Sequence, residues 1–187
     1  MTLTAVKQLT MSELEAGLDE IRRSPKDAGP LAMIVRRPQT EERELLSEGE
    51  LDQTVGLVGD NWLQRGSSRT ADGSAHPGMQ LTIMNTRVID LVAQADERWP
   101  LAGDQLFVDL DLSTANLPPG TQLAVGSAVV EVSEIPHTGC AKFVERFGAD
   151  AMKFVNSAVG KELRLRGLNA KVVRSGVIGL GDVVKKV

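Results

Sequence analysis

Two spacings of apolar residues organise the chain. Alternating or short continuous apolar runs predict strands at residues 31–35, 80–85, 121–125, 128–132 and 169–174. A turn leads into a further strand within 101–110, and a last pair of strands is expected around Gly181-Asp182. Helical spacing of Leu14, Leu18 and Ile21 predicts a helix over 12–23, with Ser12 to Glu15 read as a capping box and Arg22 and Arg23 near the end where cations suit the dipole. Val88, Leu91, Val92 and Ala95 mark a second helix, residues 141–147 a third closed by Gly148, and Met152, Val155 and Val159 one face of a fourth over about 150–159.

Gly126-Ser127 between two apolar runs is the signature of a tight hairpin with a type II′ turn. Many short strands, Gly-rich turns and no strand–helix–strand rhythm predict a mainly β protein, a closed or nearly closed antiparallel barrel decorated by short helices. Residues 1–54 read as an N-terminal helix and strand packed on the barrel, and residues 55–187 as the barrel domain.

The polar segments differ in what they offer. Residues 41–50 form an acidic stretch that reads as an exposed face without chemistry, and Arg36-Arg37 as a solvated strand terminus. Residues 61–78, with Arg65, Arg69 and His76, form a polar loop long enough to suggest binding. The dipeptide Gly-Asp recurs at 59, 103 and 181, next to a predicted strand each time.

Composition narrows the choice. A chain of 187 residues with 42% apolar and 25% charged residues forms one globular domain rather than a disordered segment. A net charge of −4 and the absence of tyrosine argue against a general nucleic-acid surface. One cysteine forms no internal disulfide, and no Cys/His cluster has zinc spacing, which fits a reducing compartment. The first seven residues show no secretory h-region and no run is long enough to span a bilayer. The expectation is a cytoplasmic protein with no nucleic-acid or membrane partner.

Chemistry concentrates at Pro136-His137-Thr138-Gly139-Cys140. Cys140 lies where a strand ends, a turn intervenes and a helix begins, a position that favours a thiolate. His137, three residues earlier, offers a proton donor or a second positive charge. A lone cysteine is also at home as a small buried hydrophobe.

The order of landmarks is more specific than any one of them. Val58-Gly59-Asp60, Gly103-Asp104-Gln105-Leu106, the hairpin ending in Pro136 with Cys140 four residues on, Phe147-Gly148, Arg166-Gly167 and Gly181-Asp182 together resemble the MOSC domain, found at the C-terminus of molybdenum-cofactor sulfurases. The resemblance covers residues 55–187 and implies a MOSC-type β-barrel, similar to the pyruvate-kinase barrel, with a cysteine at the position of Cys140. In such relatives that cysteine carries sulfur as a persulfide or ligates the molybdenum of a pterin cofactor, and some branches reduce N-hydroxylated compounds. Where many relatives carry Pro-Arg-X-Pro-Cys this chain has His137 in place of the arginine, and the lysine after a His-Gly-Gly segment falls on Met79 or Gln80, after His76-Pro77-Gly78.

The resemblance implies an oxidoreductase module in which Cys140 ligates molybdenum, His137 supplies a proton or a hydrogen bond, and Arg69, Arg166 and Asn169 bind the pterin or its phosphate. With no cysteines for an iron–sulfur cluster and no dinucleotide-binding turn, a separate electron-donor protein is required, and the substrate is a small molecule. An alternative is a sulfur carrier that receives a persulfide on Cys140 from a pyridoxal-phosphate-dependent cysteine desulfurase. A third is a small-ligand-binding barrel without chemistry.

Overall fold

The computed structural model describes residues 6–187. Residues 1–5, part of the stretch read as carrying no secretory signal, lie outside the described residues.

The chain enters through two short helices, α1 (Met11–Ala16) and α2 (Leu18–Arg22), rather than one, because Gly17 interrupts the pattern. The cap is Thr10, not Ser12: its side chain accepts from the Glu13 amide while the Glu13 carboxylate accepts from the Thr10 amide. The strands and helices that follow are β1 (Gly29–Arg36), β2 (Glu44–Leu46), β3 (Glu48–Asp52), β4 (Gly56–Leu57), α3 (Trp62–Arg65), β5 (Leu81–Asn85), α4 (Thr86–Ala93), β6 (Leu106–Val108), β7 (Gln122–Val125) and β8 (Ala128–Val132). Then come α5 (Ala141–Phe147), α6 (Ala149–Asn156), α7 (Ala158–Glu162), β9 (Leu168–Arg174), β10 (Gly176–Gly179) and β11 (Val183–Lys186).

Strands run in the order β11-β7-β8-β9-β5-β6-β1, and β1 pairs again with β11, closing a 7-strand barrel. β2 extends the β1 edge, and β10-β3-β4 form a separate small sheet. The fold is the MOSC-type barrel that the resemblance implies, about 29% helical and 27% strand. Two details differ from expectation. β5 and β6 pair in parallel, Ile83 opposite Leu106 and Asn85 opposite Val108, so the barrel is mixed. The crossover that a parallel pair demands is α4 with the 3-10 turn Asp96–Ala102. In addition β1 is itself a stave of the barrel, flanked by β6 and β11, so the sheet shows no break between residues 54 and 55.

Alternation along the strands sorts the core. Ile34, Ile83 and Leu106 point into the barrel with Leu31, Leu81, Leu123, Val130 and Leu168. Their neighbours Val35, Met84 and Phe107 point outward into a second core with Leu14, Val88, Phe143, Phe147 and Phe154 of the helices. β5 is buried on both faces, all five residues included, with its polar Thr82 and Asn85 held by hydrogen bonds to Gln105, Ser24 and Leu110. This outer core fixes α5, and therefore Cys140, against one end of the barrel.

Candidate functional site

The Gly-Asp recurrence has a structural meaning. Gly59 and Gly103 adopt left-handed backbone angles, φ 83° and 88°, and turn the chain so that the following aspartates point inward. Asp60 accepts from the Arg37 side chain in a two-pronged pair, Nε to Oδ2 and Nη2 to Oδ1 both at 2.8 Å, and Arg37 Nη1 donates to the Gly103 carbonyl at 2.9 Å. Asp104, fully buried, accepts from Arg166 Nη1 at 2.6 Å and lies 3.1 Å from His137 Nε2. Gln105 Nε2 donates to Asp60 Oδ1 at 3.3 Å, linking the Gly103 turn to the first pair. Arg166 is further held by the Ala102 carbonyl and by the Phe143 ring, 5.1 Å from its guanidinium carbon. Two arginines are thus fixed above two buried carboxylates. Arg36-Arg37 is no solvated terminus, since Arg37 is buried.

Above these pairs opens a cleft of about 260 Å3, near the lower end of small-molecule sites. Its walls come from the segment after β1 (Gln39, Thr40, Glu41, Arg43), from Asn61 and Arg65 at α3, from Lys142, Phe143 and Arg146 on α5, and from Arg166 and Asn169 at the start of β9. His137 and Cys140 complete it. Cys140 precedes α5 with an extended backbone, its carbonyl accepting from the amides of Phe143 and Val144, while its side chain is exposed and makes no capping hydrogen bond.

Charge in the cleft is lopsided. Among the described residues Glu41 is its only acidic lining residue, and it bridges Lys142 and Arg146. The hydrogen bond from Lys142 and the charge of Arg146 hold its carboxyl below the usual range. Among the described residues Arg43 donates to the carbonyls of Pro100 and Glu42 and to no carboxylate. Burial first, then the charges of Arg146 and Arg37, push its guanidinium down from its ordinary value. Arg65 is shifted the same way, by partial desolvation and then by Arg37. These are cations crowded by cations, an arrangement that an anion relieves.

Burial is the largest single influence on both Asp104 and His137. It raises the Asp104 carboxyl, but the charges of Arg166 and His137 outweigh it and the net shift is downward. His137 is pushed below 6.5, first by burial and then by Arg166, with Asp104 opposing. The imidazole is therefore neutral at pH 7 and supplies a hydrogen bond or a proton acceptor rather than a second positive charge.

Of the residues singled out in the sequence, the fold brings Cys140, His137, Arg166 and Asn169 into one cleft. Arg69 does not line it. It is exposed in the loop after α3, where its amide donates to Ser67. That loop is not featureless either, holding α3 and the 3-10 turn Pro77–Met79, where His76 Nδ1 accepts from the Gly78 amide. Arg43, Arg65, Lys142 and Arg146 went unnoticed in the sequence as anion ligands. Only Arg65 carried a signal, through its place in the long polar loop.

Comparison with known proteins agrees with the barrel. No family profile matches the chain, and no curated protein matches it in sequence. In structure it is similar to the YuaD protein of Bacillus subtilis, at 15% identity and a TM-score of 0.66, covering 85% of this chain and 95% of that one. It is also similar to YiiM of Escherichia coli, at 19% identity and a TM-score of 0.54, covering 84% and 69%. YiiM of Geobacillus stearothermophilus gives 14% identity and a TM-score of 0.52, covering 86% and 73%. These likenesses concern the fold.

The cleft also fits the cofactor that the resemblance implies. Arg166 Nε, Asn169 Oδ1 and Asn61 Oδ1 are buried and have no hydrogen-bond partner among the described residues. One donor and two acceptors left open in a cationic cleft suit a flat heterocycle with an anionic tail. Among the described residues no group of three His, Cys, Asp or Glu side chains could hold a metal ion, and Cys140 would be the protein's one thiolate ligand. Among them, too, no helix is long and apolar enough to cross a membrane.

Proposed function

We propose that this protein is a MOSC-type module that binds a molybdenum–pterin cofactor through Cys140 and supports reduction of small N-hydroxylated or related molecules with electrons from a separate donor protein. The observation that carries the reading is the lone exposed thiol set in a cleft walled by Arg43, Arg65, Lys142, Arg146 and Arg166. Bound there, the cofactor would supply two-electron redox chemistry at the metal. The protein's own part is to bind and to orient. Arg43 and Arg65 would take the anionic tail, and Asn169, Asn61 and the free Nε of Arg166 the edge of the heterocycle. Asp104 holds the imidazole of His137 through Nε2, leaving Nδ1 to accept or return a proton.

The exposure of Cys140 also favours a second reading. A thiol with no hydrogen bond of its own at the mouth of the cleft suits a carrier that takes a persulfide from a cysteine desulfurase and relays it to a metal centre. One experiment separates the two. Protein expressed in a host that makes the pterin cofactor is assayed for molybdenum and by intact mass, alongside Cys140→Ser. Stoichiometric metal lost in the variant supports the cofactor reading. A mass increase of one sulfur on Cys140 without metal supports the carrier, and neither signal defeats both.

A further inference from the structure

Behind the segment that carries Cys140 lies a second, larger cavity of about 530 Å3, well inside the range of small-molecule sites. The two cavities share one lining residue, His137, whose side chain is 16% exposed and forms the partition between them. Unlike the cleft, this cavity is walled mainly by apolar groups, with Ile135 and Pro136 on the β8–α5 segment, Val155 on α6 and Leu168 on β9. Its charged lining is Arg164, Lys161 and the exposed Glu134, two cations to one acid, with neutral polar groups at Thr114, Ser133, Thr138 and Asn156.

Arg164 is an unusual cation. It sits in the left-handed region at φ 49°, which a non-glycine residue occupies only when its surroundings impose it. Its Nη1 donates to the carbonyls of Leu117 at 2.6 Å and Leu112 at 3.3 Å, and it makes no ion pair with a carboxylate among the described residues. Burial alone pushes the guanidinium down from its ordinary value. A half-buried charge beside an apolar chamber, with Lys161 exposed close by on α7, is the complement of a carboxylate on an apolar body.

We propose that this cavity is a second ligand site, taking a small carboxylic acid with an apolar ring or chain. The body packs against Ile135, Pro136, Val155 and Leu168 and the carboxylate pairs with Arg164 and Lys161. The site stands apart from the cofactor reading, because it requires neither Cys140 nor a metal.

The test uses the full chain as isolated, with 2-naphthoate as the probe and the neutral 2-naphthamide as control, followed by amide resonances in two-dimensional NMR. The expected result is saturable shifts at Ile135, Asn156 and Gly160, with the amide control binding about tenfold more weakly or worse, the loss that a charged hydrogen bond carries. Arg164 ties two carbonyls, so its removal can unfold the segment. Lys161→Ala, on the surface, should weaken naphthoate several-fold, and Ile135→Trp should fill the chamber and abolish the shifts while thermal unfolding stays cooperative. Three results overturn the proposal: no shift at these amides with millimolar naphthoate, equal binding of acid and amide, or shifts confined to Arg43, Arg65 and Lys142 in the cationic cleft.

Discussion

Replacing Asp104 by asparagine removes one charge and almost no volume from beneath the cleft. The carboxylate is fully buried and serves Arg166 at 2.6 Å and His137 at 3.1 Å. The carboxamide can keep both contacts, its oxygen accepting from Arg166 and its amide donating to an imidazole that has switched tautomer. What it cannot keep is the counter-charge, so Arg166, itself 5% exposed, becomes a buried cation leaning on the Ala102 carbonyl and the Phe143 ring. Breaking a buried pair from one side costs about 3–5 kcal/mol, and the surviving hydrogen bonds place this case near the lower figure. Urea unfolding at pH 7 measures it, with an unchanged slope as the sign that only stability moved. In Asp104→Asn/Arg166→Met, where neither charge remains, much of the loss should return.

Acid supplies an internal check on the same reasoning. The folded pKa of Asp104 lies below 3.8, so its contribution is present above that value and disappears as pH falls through the folded one. His137 has a folded pKa below 6.5, so the unfolded chain binds the proton first and stability also declines as pH drops below 6.5. Wild type should weaken in both windows, and its advantage over Asp104→Asn should vanish at the acid end. A loss under about 1 kcal/mol at pH 7, no more than an exposed pair gives, would refute the buried charge network.

Other outcomes follow from neighbouring features. Gly103→Ala keeps open space around its new Cβ, nearest Arg43 Nη2 at 3.8 Å, so its penalty is backbone strain alone at φ 88°, about 1–2 kcal/mol by thermal or urea melting. Phe107→Ala, fully buried and 5.9 Å from the Trp99 ring, should lose about 3–5 kcal/mol in the same assay. Cys140 should be alkylated by iodoacetamide without denaturant, and Cys140→Ser should melt within about 0.5 kcal/mol of wild type, since the side chain is exposed. Glu41→Gln frees Lys142 and Arg146, so calorimetry should find pyrophosphate bound several-fold more tightly; unchanged affinity would remove Glu41 from the anion site.

The elements built on one spacing were legible. The β7–β8 hairpin, β5 and α4 each carry a single period long enough to read, and Val125 pairs with Ala128 across the expected two-residue turn. The parallel β5–β6 pair was not, because β6 has three residues and its crossover is a short helix plus an irregular turn. The cleft divides the same way. Cys140, His137 and Arg166 stand in or beside local motifs, whereas Arg43, Arg65 and Arg146 meet only because three distant segments fold over one end of the barrel. Glu41 looked like part of a solvated acidic face because its partners lie on α5, a hundred residues away in sequence. Arg69 looked like a ligand because a polar loop advertises binding, and the loop turns it outward.

The pairing of β1 with β11, Gly29 opposite Val184, makes the order of synthesis matter. As the chain leaves the ribosome, β2 can cover the Ile34–Arg36 end of β1 at once, but the Gly29–Pro30 end stays open until β11 appears. Closure therefore depends on the longest loop in the molecule, which predicts slow folding and a growing chain that needs shielding from other open strands. Removing residues 183–187 would leave most of the core composition intact yet convert a sealed cylinder into a sheet with two free margins, prone to self-association.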